Sequence, residues 1–203
     1  MPLLIQEVPE THAPIELLLL ADPSEEKIRS YLPGSRCFVV AEGADVVGAC
    51  VVQPLGAGAH ELMSIAVHPD YQKRGYGTAL LKWVIAAYRN SGARQLEVGT
   101  GTFGYQMAFY QRQGFRVTRI DHDFFVNNYP EPIFEDGIQL FDMLRLTLRF
   151  SGNAAEGRRR ETLLYPKPFR LPRLSAVLRG RRLLVRLSMN TERICKVWII
   201  ADV

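Results

Sequence analysis

Short segments in which apolar and polar residues alternate recur along the first 150 residues of the chain, and this alternation is typical of half-buried β-strands. Several of these segments are also rich in valine and isoleucine, which favour strands. The predicted strands are residues 3–8, 37–41, 46–52, 61–67, 94–98, 115–120 and 140–150. Together they are expected to form a β-sheet.

Other segments repeat apolar residues three and four positions apart, which predicts helices with one buried face. Ser24 is a suitable N-cap for one of them, because its hydroxyl can accept a hydrogen bond from the first turn. Gly92 is a typical C-terminal stop for the helix with the clearest apolar stripe. The predicted helices are residues 17–20, 24–32, 78–89 and 105–113, whereas residues 123–136 are expected to form a polar and aromatic loop.

The order of these elements is a run of hairpin-connected strands followed by alternating strands and helices. This order predicts the α+β class with a mixed sheet. The dipeptide Gly43-Ala44 would close a two-residue hairpin loop between the second and third strands. The resulting register places Cys37 opposite Cys50, where two small, reduced core residues are the simplest interpretation.

Length and composition narrow the class of protein. A chain of 203 residues with 47% apolar residues can form one domain with a buried core and an extension. The three cysteines are far apart and fit neither a disulfide framework nor a metal-ligand pattern, so no metal site is predicted. The first ten residues carry no basic residue, and the apolar runs are too short to cross a membrane. We therefore expect a cytoplasmic protein.

The charge is distributed unevenly along the chain. Residues 151–203 contain 12 basic and 4 acidic residues, whereas the whole chain has a net charge of only +4. Residues 151–157 read Ser-Gly-Asn-Ala-Ala-Glu-Gly, a composition typical of a linker. We predict one domain in residues 1–150 and an arginine-rich extension in residues 151–203, whose basic clusters around residues 158–186 could bind nucleic-acid phosphates or could be only partly ordered.

A glycine-rich basic segment lies between the predicted strand 61–67 and the helix 78–89. Residues 72–77 read Gln-Lys-Arg-Gly-Tyr-Gly. Glycines allow backbone N–H groups to surround a phosphate oxygen, and the following helix adds its positive N-terminal end. The segment lacks the Gly-Lys-Ser/Thr ending of an ATP-binding loop. It therefore predicts a site for a pyrophosphate rather than for ATP hydrolysis.

A second glycine motif competes with the first. Residues 99–104, Gly-Thr-Gly-Thr-Phe-Gly, match the dinucleotide fingerprint, and Asp121 follows where a ribose-binding acid belongs. However, the next helix is short, and too few residues remain before residue 151 to complete the parallel sheet of such a fold. We favour the alternative, a strand-to-helix turn that widens the sheet edge for a ligand.

Two blocks of this sequence together resemble those of the GCN5-related N-acetyltransferases (GNAT). Residues 61–78, Glu-Leu-Met-Ser-Ile-Ala-Val-His-Pro-Asp-Tyr-Gln-Lys-Arg-Gly-Tyr-Gly-Thr, are similar to the acetyl-CoA signature of that family. Residues 108–115, Ala-Phe-Tyr-Gln-Arg-Gln-Gly-Phe, are similar to its second block. The resemblance covers residues 1–150 and ends there.

This resemblance implies a mixed β-sheet that is splayed in the middle, is flanked by helices and holds acetyl-CoA in the opening. Backbone groups of Ile65, Ala66 and Val67 would pair with the pantetheine arm as an additional strand would. The residues implied in pyrophosphate binding are Gln72, Lys73, Arg74, Gly75, Tyr76, Gly77 and Thr78. Many family members carry an asparagine near the start of the second block, where this chain has glycines.

Acetyl transfer requires a deprotonated amine and a proton for the departing thiolate. Tyr110 occupies the position of the family's general acid, although a packed core tyrosine is the alternative. Glu61 occupies a position where the family often has a proton-relaying carboxylate, and an exposed strand-end acid is the alternative. His122 ranks second as a base. Acids of the 123–136 segment, such as Glu135, would suit a cationic acceptor or would simply be solvated.

The sequence thus predicts an acetyl-CoA-dependent N-acetyltransferase that transfers the acetyl group directly to a primary amine on a small molecule or peptide. The alternative is a non-catalytic acyl-CoA or nucleotide-binding module that associates with RNA through residues 151–203. No membrane association is expected, and the chain would be a monomer or a homodimer.

Overall fold

The computed structural model describes residues 3–150, so the predicted extension, residues 151–203, lies outside the described residues. The strands are β1 (Leu3–Val8), β2 (Arg36–Glu42), β3 (Asp45–Gly56), β4 (Ala59–Val67), β5 (Gln95–Thr100), β6 (Arg116–Asp121), β7 (Phe134–Glu135), β8 (Ile138–Gln139) and β9 (Met143–Arg149). The α-helices are α1 (Ile15–Leu18), α2 (Glu25–Tyr31), α3 (Tyr76–Asn90), α4 (Tyr105–Arg112) and α5 (Phe124–Asn128). Short 3-10 turns occupy Glu10–His12 and Pro69–Tyr71.

Seven strands form one sheet in the order β1-β2-β3-β4-β5-β9-β6, and β7 and β8 form a separate hairpin. All neighbours in the large sheet are antiparallel except β4 and β5. The connection between these two parallel strands contains α3, as a parallel crossover requires. The predicted α+β class with a mixed sheet is therefore confirmed.

The sheet opens in its middle. Strand β5 pairs with β4 only along the first part of that strand, from Ala59 to Leu62. The last part of β4, from Ser64 to Val67, keeps its pairing with β3 but has no register with β5. The C-terminal end of β5 pairs with β9 instead. The two halves of the sheet thus diverge at Leu62, which is the splayed geometry that the sequence blocks implied.

Helices cover both faces of the sheet. On one face α3 and α4 pack through buried residues such as Leu80, Leu81 and Phe109. On the other face α1 and α2 cover the β1–β4 half through Leu18 and Ile28. Ser24 caps α2 as predicted, because its hydroxyl accepts a hydrogen bond from the N–H of Lys27 at 3.2 Å. No helix in residues 3–150 is long and apolar enough to cross a membrane.

The predicted pairing of Cys37 with Cys50 is wrong. The hairpin begins as expected, with Glu42 opposite Asp45, but a bulge at the buried Val47 shifts the register by one residue. Cys37 therefore pairs with Val51, and Cys50 pairs with Phe38. A shift of one residue moves a side chain to the other face of a sheet. Cys37 consequently packs under α1 and α2, whereas Cys50 packs under α3, and both are free thiols.

The segment predicted as a loop, residues 123–136, contains the short helix α5. Phe125 from this helix is buried together with Ile133, Leu140 and Met143 in a small separate core. The Phe125 N–H donates to the carbonyl of Phe141, which joins α5 to the stretch before β9. Five residues are too few to produce a recognisable helical period, so the sequence pattern did not indicate this element.

Candidate active site

The basic glycine segment forms a tight turn between the end of β4 and the start of α3. Lys73 has φ of +60° and Gly75 has φ of +85°, so the backbone passes twice through the left-handed region. Glycine adopts this conformation at little cost, and such turns direct successive N–H groups into a concavity that binds anions. The side-chain amide of Gln72 donates to the Val67 carbonyl at 3.0 Å and fixes the turn to the strand.

Positive charge surrounds this turn. Helix α3 begins at Tyr76, and its first turn contains no acidic residue. The first N–H groups of a helix have no partner within the helix and carry its positive dipole end. Lys73 and Arg74 are exposed beside them, and the Arg74 guanidinium lies 5.3 Å from the centroid of the Tyr71 ring. The turn therefore combines N–H donors with two exposed cationic side chains, which suits a pyrophosphate.

The end of β4 lies beside this turn. Ile65, Ala66 and Val67 are buried, and their backbones pair with β3 on one side. Their other edge faces the opening, because β5 has diverged there. A strand edge without a neighbouring strand offers backbone donors and acceptors to an extended ligand. The structure thus joins the predicted pantetheine residues and the predicted pyrophosphate residues into one continuous stretch.

Tyr110 lies on α4 with its side chain fully buried. Its ring contacts those of Phe109 and Phe115 edge-on, with centroids 5.2 Å and 5.6 Å away. The hydroxyl has no hydrogen-bond partner within residues 3–150. Burial raises the pKa of Tyr110 well above its usual value, and the nearby Cys50 and Tyr105 raise it further. The phenol therefore remains protonated at neutral pH and is a proton donor.

Glu61 takes part in an ion-pair network on the opposite face of the sheet. Its Oε1 binds Nη1 of Arg145, whose Nε in turn lies 2.6 Å from Oδ2 of Asp121. Arg119 also contacts the Asp121 carboxylate, at 2.7 Å. Hydrogen bonds from Arg119 and Arg145 lower the pKa of Asp121. Arg145 was not anticipated from the sequence, because an isolated arginine in a strand gives no signal of its partner two strands away.

The histidines take part in other contacts. The ring of His60 is tilted against that of Tyr88, with ring centroids 4.6 Å apart, and burial lowers the pKa of His60. The side chain of His122 is 75% exposed and lies 3.4 Å from the Asp142 carboxylate. The ring of His68 accepts a hydrogen bond from the N–H of Asp70 at 3.3 Å, which is a turn-forming role.

The glycines of the second motif lie directly against other side chains. A Cβ added at Gly101 would lie 3.1 Å from Leu140, and one at Gly104 would lie 2.8 Å from Oε1 of Glu135. Strand β5 neighbours β4 and β9, whereas β6 lies on the far side of β9, so the parallel order of a dinucleotide fold is absent from the described sheet. These glycines instead allow other side chains to approach the end of β5.

One of those side chains is Glu135, whose position the sequence did not reveal. Its Oε1 accepts a hydrogen bond from the side-chain amide of Gln106, at 2.5 Å. Oε2 of Glu135 and Oε1 of Gln106 are both shielded from solvent and have no hydrogen-bond partner within residues 3–150. Burial raises the pKa of Glu135, and the adjacent Asp136 carboxylate raises it further. The neighbouring acids Glu131 and Asp136 are exposed.

A second polar cluster connects α2 to α5. The Lys27 ammonium lies 3.3 Å from the centroid of the Tyr129 ring, so the two helices touch through a cation–π contact. Tyr31 and Asp22 lie next to this contact, and burial raises the pKa of both. Ser64 of β4 lies beside the Tyr31 phenol.

Comparison with known proteins places this geometry in context. Residues 33–117 match the family model described as "Acetyltransferase (GNAT) domain". The chain is 41% identical over 134 residues to the Uncharacterized N-acetyltransferase YvbK of Bacillus subtilis. The alignment covers 66% of this chain and 86% of that protein.

Solved structures give the same result. An IAA acetyltransferase from Bacillus cereus has a TM-score of 0.70 at 38% identity and covers 73% of this chain and 99% of its own. A GNAT family acetyltransferase from Elizabethkingia anophelis with acetyl-CoA bound has a TM-score of 0.69 at 39% identity. The match covers 72% of this chain and 97% of that protein. A Bacillus subtilis acetyltransferase in complex with CoA also has a TM-score of 0.69 at 39% identity, and it covers 73% and 99%.

Proposed function

This chain belongs to the GNAT acetyltransferase family and uses acetyl-CoA as its co-substrate, and we propose that it transfers the acetyl group directly to a primary amine in a ternary complex. The observation that carries the proposal is the continuous stretch formed by the free edge of β4 and the turn before α3. The edge supplies backbone partners for a pantetheine arm, and the turn supplies N–H groups and cations for a pyrophosphate.

We assign two parts of acetyl-CoA, the pantetheine arm and the pyrophosphate, to this stretch. Ile65, Ala66 and Val67 would pair with the amide groups of the pantetheine arm. The pyrophosphate would lie in the turn, held by backbone groups of Gly75, Tyr76, Gly77 and Thr78 and by the charges of Lys73 and Arg74. Gln72 would act indirectly, because its amide already binds the Val67 carbonyl and keeps the turn in place.

The reaction needs no covalent enzyme intermediate. The amine nitrogen forms a bond to the thioester carbon, and the bond from that carbon to sulfur breaks. We propose that Tyr110 gives its hydroxyl proton to the departing thiolate and regains a proton from the nitrogen. The raised pKa keeps the phenol protonated until the thiolate departs, and the proton returned by the nitrogen means that no tyrosinate accumulates.

Glu61 is proposed as the group that receives, through water, the proton that the amine loses before it attacks the thioester. The ion pair with Arg145 fixes the orientation of this carboxylate. A water molecule between Glu61 and the amine would carry the proton to the carboxylate.

The identity of the acceptor, the cytoplasmic location, the oligomeric state and any nucleic-acid binding by residues 151–203 stay predictions. The alternative function, a non-catalytic binding module, has no support from the relatives, which are acetyltransferases by name. The direct test is release of free thiol from acetyl-CoA with a panel of primary amines, together with detection of the acetylated product by mass spectrometry. Binding of CoA without turnover of any amine would overturn the proposal.

A further inference from the structure

Gln106 and Glu135 form a buried polar pair at the end of β5 that the proposed chemistry does not use. Gln106 is 1% exposed and lies in the first turn of α4. Its amide binds one oxygen of Glu135, and residues 3–150 supply no hydrogen-bond donor to Oε2 of Glu135 or to Oε1 of Gln106. Two buried acceptors without a donor are unfavourable, because each has lost its hydration. A cation with several N–H groups would satisfy both.

The pair lies close to the proposed general acid. Gln106 precedes Tyr110 by four residues on α4, so the two side chains lie on the same face of the helix, one turn apart. Side chains of a helix lean toward its N-terminus, which brings the Tyr110 ring toward the turn that carries Gln106. A group bound by the pair would thus lie within reach of the atoms that react beside Tyr110.

The glycines of residues 99–104 leave room for this pair. Gly104 has φ of +91°, and a Cβ there would lie 2.8 Å from Oε1 of Glu135. Gly101 borders the other oxygen, since a Cβ there would lie 3.5 Å from Oε2. The absence of side chains at these two positions allows the carboxylate to lie directly against the end of β5. In this structure the glycines of residues 99–104 thus lie against a carboxylate, that of Glu135.

We propose that Glu135, oriented by Gln106, binds the acceptor amine in its protonated, ammonium form and so selects cationic amines. The ammonium then loses one proton, through water to Glu61 as proposed above, before the neutral nitrogen attacks the thioester. The inference rests on the proposed amine acetyltransferase activity and names the substrate class of that site. Glu135 lies in the β7–β8 hairpin, which is separate from the large sheet.

The test compares two isomeric primary amines that differ in charge at pH 7. Benzylamine is a cation, and 4-methylaniline is neutral. Other primary alkylamines and lysine peptides complete the panel. The variant is Glu135→Gln, and the matched control is Glu131→Gln, an exposed acid of the same segment. We expect Glu135→Gln to raise KM for the cationic amines 10- to 100-fold while kcat changes less than threefold. KM for neutral amines and the affinity for CoA should stay within twofold.

A structural role for Glu135 would give a different result. In that case Glu135→Gln would lower thermal stability and CoA affinity together and would leave the ratio of cationic to neutral KM unchanged. Glu135→Asp provides a rescue test, because it retains the charge and should recover part of the affinity for cations. Equal KM values in the Glu135→Gln and Glu131→Gln enzymes, or turnover of neutral amines alone, would overturn the inference. Turnover of no amine by the native chain would overturn the proposed function itself.

Discussion

Glu61 of β4 and Arg145 of β9 form an ion pair that passes across β5 at Gly99. Gly99 is the direct register partner of Arg145. A Cβ there would collide with Sδ of Met143 and would lie 3.3 Å from the Arg145 guanidinium. The first glycine of the motif thus makes room for Met143 and for the Arg145 side chain, whose ion pair joins the two halves of the opened sheet.

The turn before α3 is tested by reversing one charge. We expect Lys73→Glu to weaken CoA binding at least tenfold, a change of about 1.4 kcal/mol, because the new carboxylate would face the pyrophosphate. The control is Lys82→Glu, which makes the same change at an exposed position further along α3. Isothermal titration calorimetry measures both affinities, and equal affinities in the two variants would contradict the assignment.

Tyr110 is tested by removing only its hydroxyl. We expect Tyr110→Phe to lower kcat at least about tenfold, since general acid catalysis typically contributes more than this. Thermal stability should be unaffected, because the hydroxyl has no hydrogen-bond partner to lose within the described residues. The matched variant is Tyr88→Phe, another buried tyrosine of the same core. Similar turnover in both variants would assign Tyr110 to packing.

The close contact between Glu135 and Gly104 is tested by two alanine substitutions. Gly104 and Gly137 both have positive φ, but a Cβ at Gly137 would have no neighbour within 4 Å. Gly137→Ala should therefore cost only the conformational strain, about 1–2 kcal/mol. Gly104→Ala should lower the free energy of unfolding further, because its Cβ would also displace the side chains of Gln106 and Glu135, and because its φ of 91° with ψ of 177° is a conformation that essentially only glycine adopts. Urea denaturation measures both values, and equal losses would show that Glu135 does not depend on Gly104.

The ion-pair network predicts how stability depends on pH. The pKa of Asp121 is lowered in the folded chain, so its stabilising contribution is present above the unfolded pKa and is lost as the pH falls through the folded value. We expect Asp121→Asn to reduce the free energy of unfolding at pH 7 by up to about 1 kcal/mol, since the carboxylate is largely solvated. The difference from the native chain should vanish as the pH falls below about 4.

Urea titrations at several pH values measure this dependence, and Asp45→Asn is the control at an exposed hairpin position. A difference that persists unchanged at pH 2 would show that Asp121 stabilises the fold by packing rather than by charge.

The proposed domain boundary leads to a prediction about a shortened chain. A chain that ends at Phe150 should fold, bind CoA and retain acetyltransferase activity. Phe150 is needed, because its N–H donates to the Arg94 carbonyl at 2.9 Å and its ring lies 5.5 Å from the Arg89 guanidinium. Circular dichroism and calorimetry with CoA test this. Aggregation of the shortened chain, or loss of CoA binding, would show that residues beyond 150 complete the domain.

Local features of the site could be predicted from the sequence, because each depends on a few adjacent residues. The helix after Gly75 and the cap at Ser24 follow from turn chemistry and periodicity within a single segment. The arrangement of Arg145 beside Glu61 could not be predicted in this way. Those residues are 84 positions apart, and only the order of the strands brings them together.

Errors in the predictions have equally specific causes. The register of Cys37 failed because one extra residue, Val47, bulges out of an otherwise regular hairpin, and hydrophobic alternation does not reveal a bulge. The sequence named Glu135 among the acids that would suit a cationic acceptor but did not show its burial, because that burial depends on Gln106 and Gly104, which belong to a different segment. Interactions between distant segments thus decided what the sequence pattern left open.

The bulge at Val47 also determines the thiol chemistry of the domain. It places the sheet itself between Cys37 and Cys50, so the two sulfur atoms cannot meet while the strands remain paired. Burial raises the pKa of Cys37 to about 12 and that of Cys50 well above its usual value, so neither thiol is a nucleophile in the folded chain. An oxidant or alkylating agent can modify them only after the sheet has opened. The rate at which these two cysteines are labelled would therefore measure how often the domain unfolds.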